Sequence, residues 1–365
     1  MKNVLIISNM FPSKKGPTFG IFVKNQAKQL ELAGMSVDIL AIKDPSMDKI
    51  NVLKKYITWF LYFCFNLLTK GWKYDIVHVH YIFPTGILGL FYKKLFNIPL
   101  VVTAHGGDID KMAKKNKFFK KCTEVILKEA DYVICVGDQL YSNVITEYNI
   151  PSNKITVLNM GVDTKIFCPK NKNELRNNFG IPASTKVILF VGNIIKQKGV
   201  KELVTAYKNI NINISNTQLV IIGAKKDPSF FKDLELFIKD NKLKDISILE
   251  PKTQKEISEW MGISNVFVLP SHIEGLGLVA LEAMACKVPV VASRVGGLQY
   301  LLADGVGFLV PPKNHKELED TISYVLLNEE NSYNIIERAY QKALESDSDK
   351  VINKLQKIYT LIENS

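Results

Sequence analysis

The chain is poor in cysteine, and what it has is dispersed. Cys64, Cys122, Cys135, Cys168 and Cys286 are odd in number and never form a C-x-x-C pair. That excludes a disulfide framework and a zinc knuckle, and it fits a reducing cytoplasm. Long apolar runs are lacking too. The opening MKNVLIISNM holds an apolar run of about five residues, below the ~7–15 of a secretory signal, so residues 4–8 read as a buried first strand. The longest apolar run, YITWFLYFCFNLL (56–68), is 13 residues. Spanning a bilayer takes about 20. No segment is of low complexity and no fixed-period repeat runs through the chain. Acidic residues are scarce in the first half: residues 1–168 hold 22 Lys against 13 Asp and Glu, nine of the eleven formal positive charges. Such a basic face suits an anionic membrane surface, a phosphorylated ligand or nucleic acid. No recognised nucleic-acid module is visible, so that partner is set aside.

What is present is the composition of a globular protein, 47% hydrophobic and 23% charged, long enough for two domains. NVLIIS, SVDILAI, DIVHVHY, PLVVTAH, DYVICVG and KITVLNM read as strands with periodic segments between most of them. The series restarts at KVILFVG and continues through QLVIIGA, DISILE, NVFVLPS and PVVAS. Apolar strands alternating with helices predict buried parallel sheets with right-handed crossovers. Two series predict an α/β protein of two doubly wound, Rossmann-like domains facing across a cleft. The polar, Pro- and Asn-containing break near 163–186 reads as a linker.

Ligands of open α/β sheets sit beyond the carboxyl ends of strands, which directs attention to the turns that follow them. SHIEGLGLVALEAMA (271–285) places Glu274 and Glu282 around Gly275 and Gly277, where a strand gives way to a helix. Glycines allow close backbone approach, and a helix start offers free N–H groups to a phosphate. At about 1.5 Å per helical residue the two carboxylates are too far apart for a retaining-glycosidase pair, which needs ~5 Å. They read instead as grips on different parts of one elongated ligand, against the plainer reading of two surface glutamates. VGNIIKQKG (191–199) places Lys198 at another helix start, able to neutralise a diphosphate.

VGNIIKQKG, LPSHIEGLGLVALEAMACKVPVVASRVGG and GVGFLVPP together resemble the C-terminal half of family-4 glycosyltransferases. NMGVDTKIFCP (159–169) is similar to their interdomain segment. FPSKKGPTFGIFVKNQAKQLELAG, VHVHY and TAHGGDI resemble the N-terminal half of members that build bacterial surface polysaccharides, the teichuronic-acid type among them. The resemblance implies the two-domain GT-B fold. The acceptor-side domain would be 1–165, joined by a returning helix at about 345–365, and the nucleotide-sugar domain 166–344. It implies a retaining transferase with no metal and no cofactor beyond its nucleotide-sugar substrate, UDP-linked in preference to GDP-linked. Glu282 would hold the ribose and Glu274 the transferring sugar. Lys198 and the backbone of Gly275, Leu276, Gly277, Leu278 and Val279 would hold the diphosphate, with Asn193 beside them. The loop ending at Gly20 would close over the phosphates, and His105 with Asp108 would sit beside donor sugar and acceptor.

Two positions depart from the family pattern. Asn193 stands where the family usually has arginine, so its hydrogen bonds to phosphate are neutral and roughly half as strong, with Lys196 a candidate to compensate. Tyr300 aligns with a common glutamate. A nucleotide-sugar epimerase of the same architecture, or a glycan-binding relative without donor affinity, are the rival readings. Asp108-x-Asp110 matches a manganese-binding pattern of the other large glycosyltransferase fold, which the doubly repeated α/β pattern contradicts. His78 and His80 share one strand face, and a three-histidine metal site with His105 is weighed against a buried or cleft-lining role. The lysine-rich stretch 110–121 and the lysine-flanked 54–70 are candidates to dock on an anionic membrane surface, at the inner face of the cell membrane next to a lipid-linked glycan acceptor. The alternatives are a solvated lysine face for the first and a buried core helix for the second.

Overall fold

The computed structural model describes residues 1–46, 48–275 and 277–363, apart from the side chains at 110 and 111. The chain divides into two compact units, Met1–Met160 with Ser348–Ser365, and Gly161–Asp347.

In the first unit, β1 (Asn3–Ser8), β2 (Ser36–Ala41), β3 (Ile76–His80), β4 (Leu100–Ala104), β5 (Tyr132–Cys135) and β6 (Ile155–Val157) form one sheet. Its order is β2-β1-β3-β4-β5-β6 and every pairing is parallel. The crossovers are α1 (Ile21–Leu32), α2 (Lys49–Lys70), α3 (Thr85–Phe96), α4 (Lys117–Glu129) and α5 (Asp138–Tyr148). Asn97 and Asn149, both left-handed, end α3 and α5, as asparagine tolerates that conformation better than most residues.

In the second unit, β7 (Lys186–Val191), β8 (Thr217–Ile222), β9 (Ile246–Leu249), β10 (Val266–Leu269), β11 (Val290–Ser293) and β12 (Phe308–Val310) form a parallel sheet of order β12-β11-β10-β7-β8-β9. Its helices are α6 (Lys172–Phe179), α7 (Val200–Asn213), α8 (Pro228–Asp240), α9 (Gln254–Ile263), α10 (Leu278–Ala285), α11 (Gly296–Leu301), α12 (His315–Leu327) and α13 (Tyr333–Glu345). The final helix, α14 (Ser348–Glu363), belongs to the first unit.

Each sheet is buried on both faces, as its unbroken apolar strands require. Val4, Ile6, Ile76, Val101 and Ile134 pack with Val23 and Leu30 of α1 and with Ile352, Leu355 and Tyr359 of α14. Val187–Val191, Leu219–Ile222 and Val266–Leu269 pack with Leu203 and Tyr207 of α7 and with Leu281 and Met284 of α10. The stretch expected to be a linker is not loose. It contains α6, capped by Asn171, whose side chain accepts from the Glu174 N–H. Arg176 is buried and donates to the carbonyls of Ile263 and Ala183 and to Asn265 Oδ1, holding the segment into the second unit.

Strand order fixes where ligands can sit. Each sheet has one point where the winding reverses, between β1 and β3 in the first unit and between β7 and β10 in the second. The crevice at such a point lies beyond the strands' carboxyl ends.

Candidate active site

In the second unit, β7 and β10 deliver two turns to one switch point. After β7 the chain passes Asn193, which is half-buried, to a short 3₁₀ turn, Lys196–Lys198, and then Gly199 starts α7. After β10 it passes Ser271 and Glu274 to Gly277, the left-handed cap of α10. The turns lock backbone to backbone: the His272 N–H donates to the Gln197 carbonyl at 2.8 Å. Gly199 has φ +68°, and a Cβ there would lie 1.9 Å from the Pro270 carbonyl oxygen. Only glycine fits both the conformation and the gap.

This locking brings Lys198 and Glu274 together. Their Nζ and Oε2 are 2.5 Å apart, with side chains 23% and 15% exposed. Ser271 Oγ donates to the same oxygen at 3.1 Å. The sequence separates lysine and glutamate by 76 positions, so their contact is a product of the fold. The Gly297 N–H donates to the Gly275 carbonyl at 2.7 Å, and a Cβ on Gly296 would strike the Glu274 carbonyl at 2.0 Å, so α11 braces the turn.

Leu278 and Val279 are the first two residues of α10. Their N–H groups belong to the set that a helix cannot satisfy internally, and Gly277 brings no side-chain cap. Leu276 lies outside the described residues. Glu282 lies one turn inside α10, away from the turn that carries Glu274. Burial pushes its carboxyl up to about 8, against the lowering effect of a hydrogen bond from Gln254. The carboxylates are therefore separate stations on one helix and its entry turn. Lys196, weighed as a substitute for the missing arginine, is exposed.

In the first unit the switch point lies beside Ser8 and His80, which stand opposite each other in register. Gly20, left-handed at φ +73°, opens α1; a Cβ there would lie 2.6 Å from the Met10 carbonyl oxygen. His105 follows β4, its ring 4.6 Å from that of Tyr81 and 4.9 Å from that of Phe22. His80 Nδ1 and His105 Nε2 are 3.1 Å apart. Burial holds both rings far below the ordinary histidine value, His80 at about 3, so one N–H and one lone pair join them. His80 Nε2 is buried and has no partner among the described residues.

Asp108 is 2% exposed, and its carboxylate accepts from the backbone N–H groups of Ile82, His105 and Ile109. Burial raises it to about 6 in spite of those three donors. It therefore ties the loop after β4 to the loop after β3, and it reaches the histidines through backbone. His78, one residue pair back along β3, is a structural tie. Its Nδ1 meets Tyr359 Oη at 2.6 Å and its Nε2 meets Thr103 Oγ1 at 2.7 Å, so both nitrogens are engaged. Among the described residues no three His, Cys, Asp or Glu side chains are gathered as metal ligands.

Residue reasoning missed Gln254 and assigned no role to Ser271, and it grouped His80 with His105 only in the three-histidine metal alternative. Ser271 sits in a quoted motif, so its position was the available signal. Gln254 and the His80–His105 contact depend on packing between elements far apart in the chain.

The family description Glycosyltransferase Family 4 matches residues 20–166, and Glycosyl transferases group 1 matches residues 171–342. An uncharacterized glycosyltransferase of Methanocaldococcus jannaschii is 33% identical over 289 residues, covering 78% of this chain and 75% of its own. This chain is a family-4 glycosyltransferase. The fold agrees. Sucrose-phosphate synthase of Thermosynechococcus elongatus superposes with a TM-score of 0.83 at 21% identity over 100% of both chains. HepE of Anabaena, in complex with UDP and glucose, superposes with a TM-score of 0.78 at 18% identity over 99% of each. The two Rossmann-like units of this glycosyltransferase are thus those of the GT-B fold. The group 1 segment carries Asn193, Lys198, Glu274 and Glu282, and the Family 4 segment carries Gly20, His105 and Asp108.

Proposed function

We propose that this glycosyltransferase moves a hexose-type unit from a UDP-sugar, in preference to a GDP-sugar, to a lipid-linked glycan at the cytoplasmic membrane face, in the synthesis of a cell-surface polysaccharide. Transfer retains anomeric configuration and uses no metal ion. The observation that carries this reading is the contact of Lys198 with Glu274 at the second unit's switch point, next to the opening turn of α10. A diphosphate leaving group gains negative charge as the glycosidic bond breaks, and preorganised donors are what lower that barrier. Lys198 and the N–H groups of Leu278 and Val279 supply them, with Gly275 and Gly277 allowing the approach and Asn193 adding a neutral donor. Glu274, released from Lys198 by the incoming phosphate, accepts hydrogen bonds from the transferring sugar. Glu282 accepts from the ribose. The departing phosphate oxygen takes the acceptor's proton on the front face, so no carboxylate nucleophile is needed. In the first unit, Gly20 sets the loop after β1 where that unit's switch point opens, and His105, set by His80 and by Asp108 through the backbone, meets the acceptor hydroxyl. UDP as the carrier is supported by the fold similarity to HepE, which binds UDP and glucose.

The test is product formation, followed by mass spectrometry, from a panel of UDP- and GDP-sugars with membrane extract as acceptor. Lys198→Ala and Glu274→Ala are each expected to lower the transfer rate about 100- to 1,000-fold, the cost of removing one charge-stabilising group. Both variants should unfold at the wild-type temperature. Full activity in either variant would refute its role, and turnover of the nucleotide sugar without acceptor would point to epimerisation.

A further inference from the structure

Helix α2 presents apolar surface on two opposite faces, and only one of them is covered. Trp59 and Phe63 are buried, and Trp59 Nε1 donates to the Leu40 carbonyl at 3.2 Å. Phe63 packs on Phe91 and Tyr92 of α3, and Asn66 joins a hydrogen-bonded chain with Tyr74 and Tyr92. These contacts fix the helix on the first unit and fix which way its other side points. On that other side Ile50, Leu53, Ile57, Leu61, Phe65 and Leu68 are each at least half exposed, from 53% at Ile57 to 80% at Ile50. Their spacing is that of one helical stripe, and 22 residues carry it for about 33 Å. Trp72, just beyond the helix, is 60% exposed. A continuous apolar band of this length is more than a soluble surface carries without a partner. The buried-core alternative for 54–70 is therefore overturned for this face.

The charges name the partner. Residues 49–73 contain five lysines and no Asp or Glu; Lys55 donates to the carbonyls of Asp44 and Ser46 and Lys70 pairs with Asp38, whereas Lys49, Lys54 and Lys73 are exposed. A second copy laid on this stripe would set lysines against lysines, whereas anionic lipid headgroups would complement them. The rival stretch 110–121 is a weaker platform. Lys114 pairs with Glu147 and Lys121 with Glu124, Phe119 packs on Phe83, and among its described aromatics only Phe118 stands out. We propose that α2 docks the chain on an anionic bilayer, lying in the membrane plane. Its outer stripe enters the headgroup–acyl boundary, and Lys49, Lys54 and Lys73 meet the lipid phosphates. The proposal shares with the function above only the lipid-linked acceptor, and it does not depend on the transfer chemistry.

Flotation of the full chain with vesicles separates the possibilities. Vesicles of phosphatidylcholine with phosphatidylglycerol should carry the protein up at low salt, and phosphatidylcholine alone should carry far less. The fluorescence of Trp72 should shift to the blue, and Trp72→Phe should remove that shift. The double variant Leu61→Glu, Phe65→Glu should bind at least about tenfold more weakly, since it sets two charges into the apolar boundary. Leu327→Glu, a single such change at an exposed position of α12, should bind like the wild type. Calorimetry with UDP and the unfolding temperature confirm that the double variant is folded. Undiminished flotation of the double variant overturns the proposal. So does a lipid-independent dimer that the double variant dissolves in sedimentation velocity, which assigns the stripe to a second copy. Lys198→Ala should lose UDP and still float, so failure of the donor reading and failure of docking give different results.

Discussion

Glu282 and Asp108 are carboxyls held away from their ordinary state by burial, and they differ in what they face. Asp108 spends its oxygens on three backbone N–H groups, and protonation at about pH 6 would weaken that clasp. Glu282, raised to about 8, faces Gln254 alone among its identified hydrogen-bond partners and keeps acceptor capacity for a ligand. A ligand whose hydroxyls donate to it favours the charged form, so binding lowers its pKa and releases a proton. UDP affinity should therefore climb as pH rises toward about 8 and then level, whereas Glu282→Gln should bind more weakly with a flat profile. Stability runs the opposite way. A raised folded-state pKa means that the folded chain keeps a proton which the unfolded chain has released, so this group's contribution falls as pH rises between the ordinary value and 8. The unfolding temperature of Glu282→Gln relative to wild type should then rise steadily from about pH 5 to about pH 8. Parallel curves in both experiments would show that Glu282 neither titrates in this interval nor meets the nucleotide.

Among the elements, the two turns after β7 and β10 decide the site, because neither holds its shape without the other. Gly199→Ala puts a methyl group against the Pro270 carbonyl in a conformation that alanine resists. It should cost at least about 1–3 kcal/mol in thermal unfolding and weaken UDP binding as Lys198 shifts. Wild-type behaviour in both would mean that the two turns are not coupled. The strands were legible in the chain because β-branched apolar runs such as NVLIIS and KVILFVG have one economical fate, a sheet covered on both faces. Residues 308–310 were not legible as β12: three residues between a glycine-rich turn and a proline pair show no periodicity. The outward face of α2 was equally hidden. YITWFLYFCFNLL is apolar around most of its circumference, and only packing says that Trp59 and Phe63 face inward while Leu61 and Phe65 do not. In the site, helix starts and glycines could be read from local spacing. The Lys198–Glu274 contact and the backbone clasp of Asp108 could not, since they join residues brought together by strand order and loop folding.

At the scale of the whole molecule, the chain splits its physical labour between two units. The first holds 24 basic and 14 acidic residues, ten of the eleven net positive charges, together with the histidine group and the exposed stripe of α2. The second is nearly balanced in charge, with 23 basic and 22 acidic residues, and sets Lys198 at its switch point beside helix N–H groups. A nucleoside diphosphate should accordingly depend on one lysine to an unusual degree, because Asn193 offers only neutral hydrogen bonds where a second cation would ordinarily assist. The most direct measurement is the calorimetric Kd of UDP for the wild type and for Lys198→Ala at low salt. The account predicts measurable binding by the wild type and a loss of at least about tenfold in the variant, as removal of a charged hydrogen bond to phosphate entails. Equal affinity in the two proteins, with both folded, would contradict it.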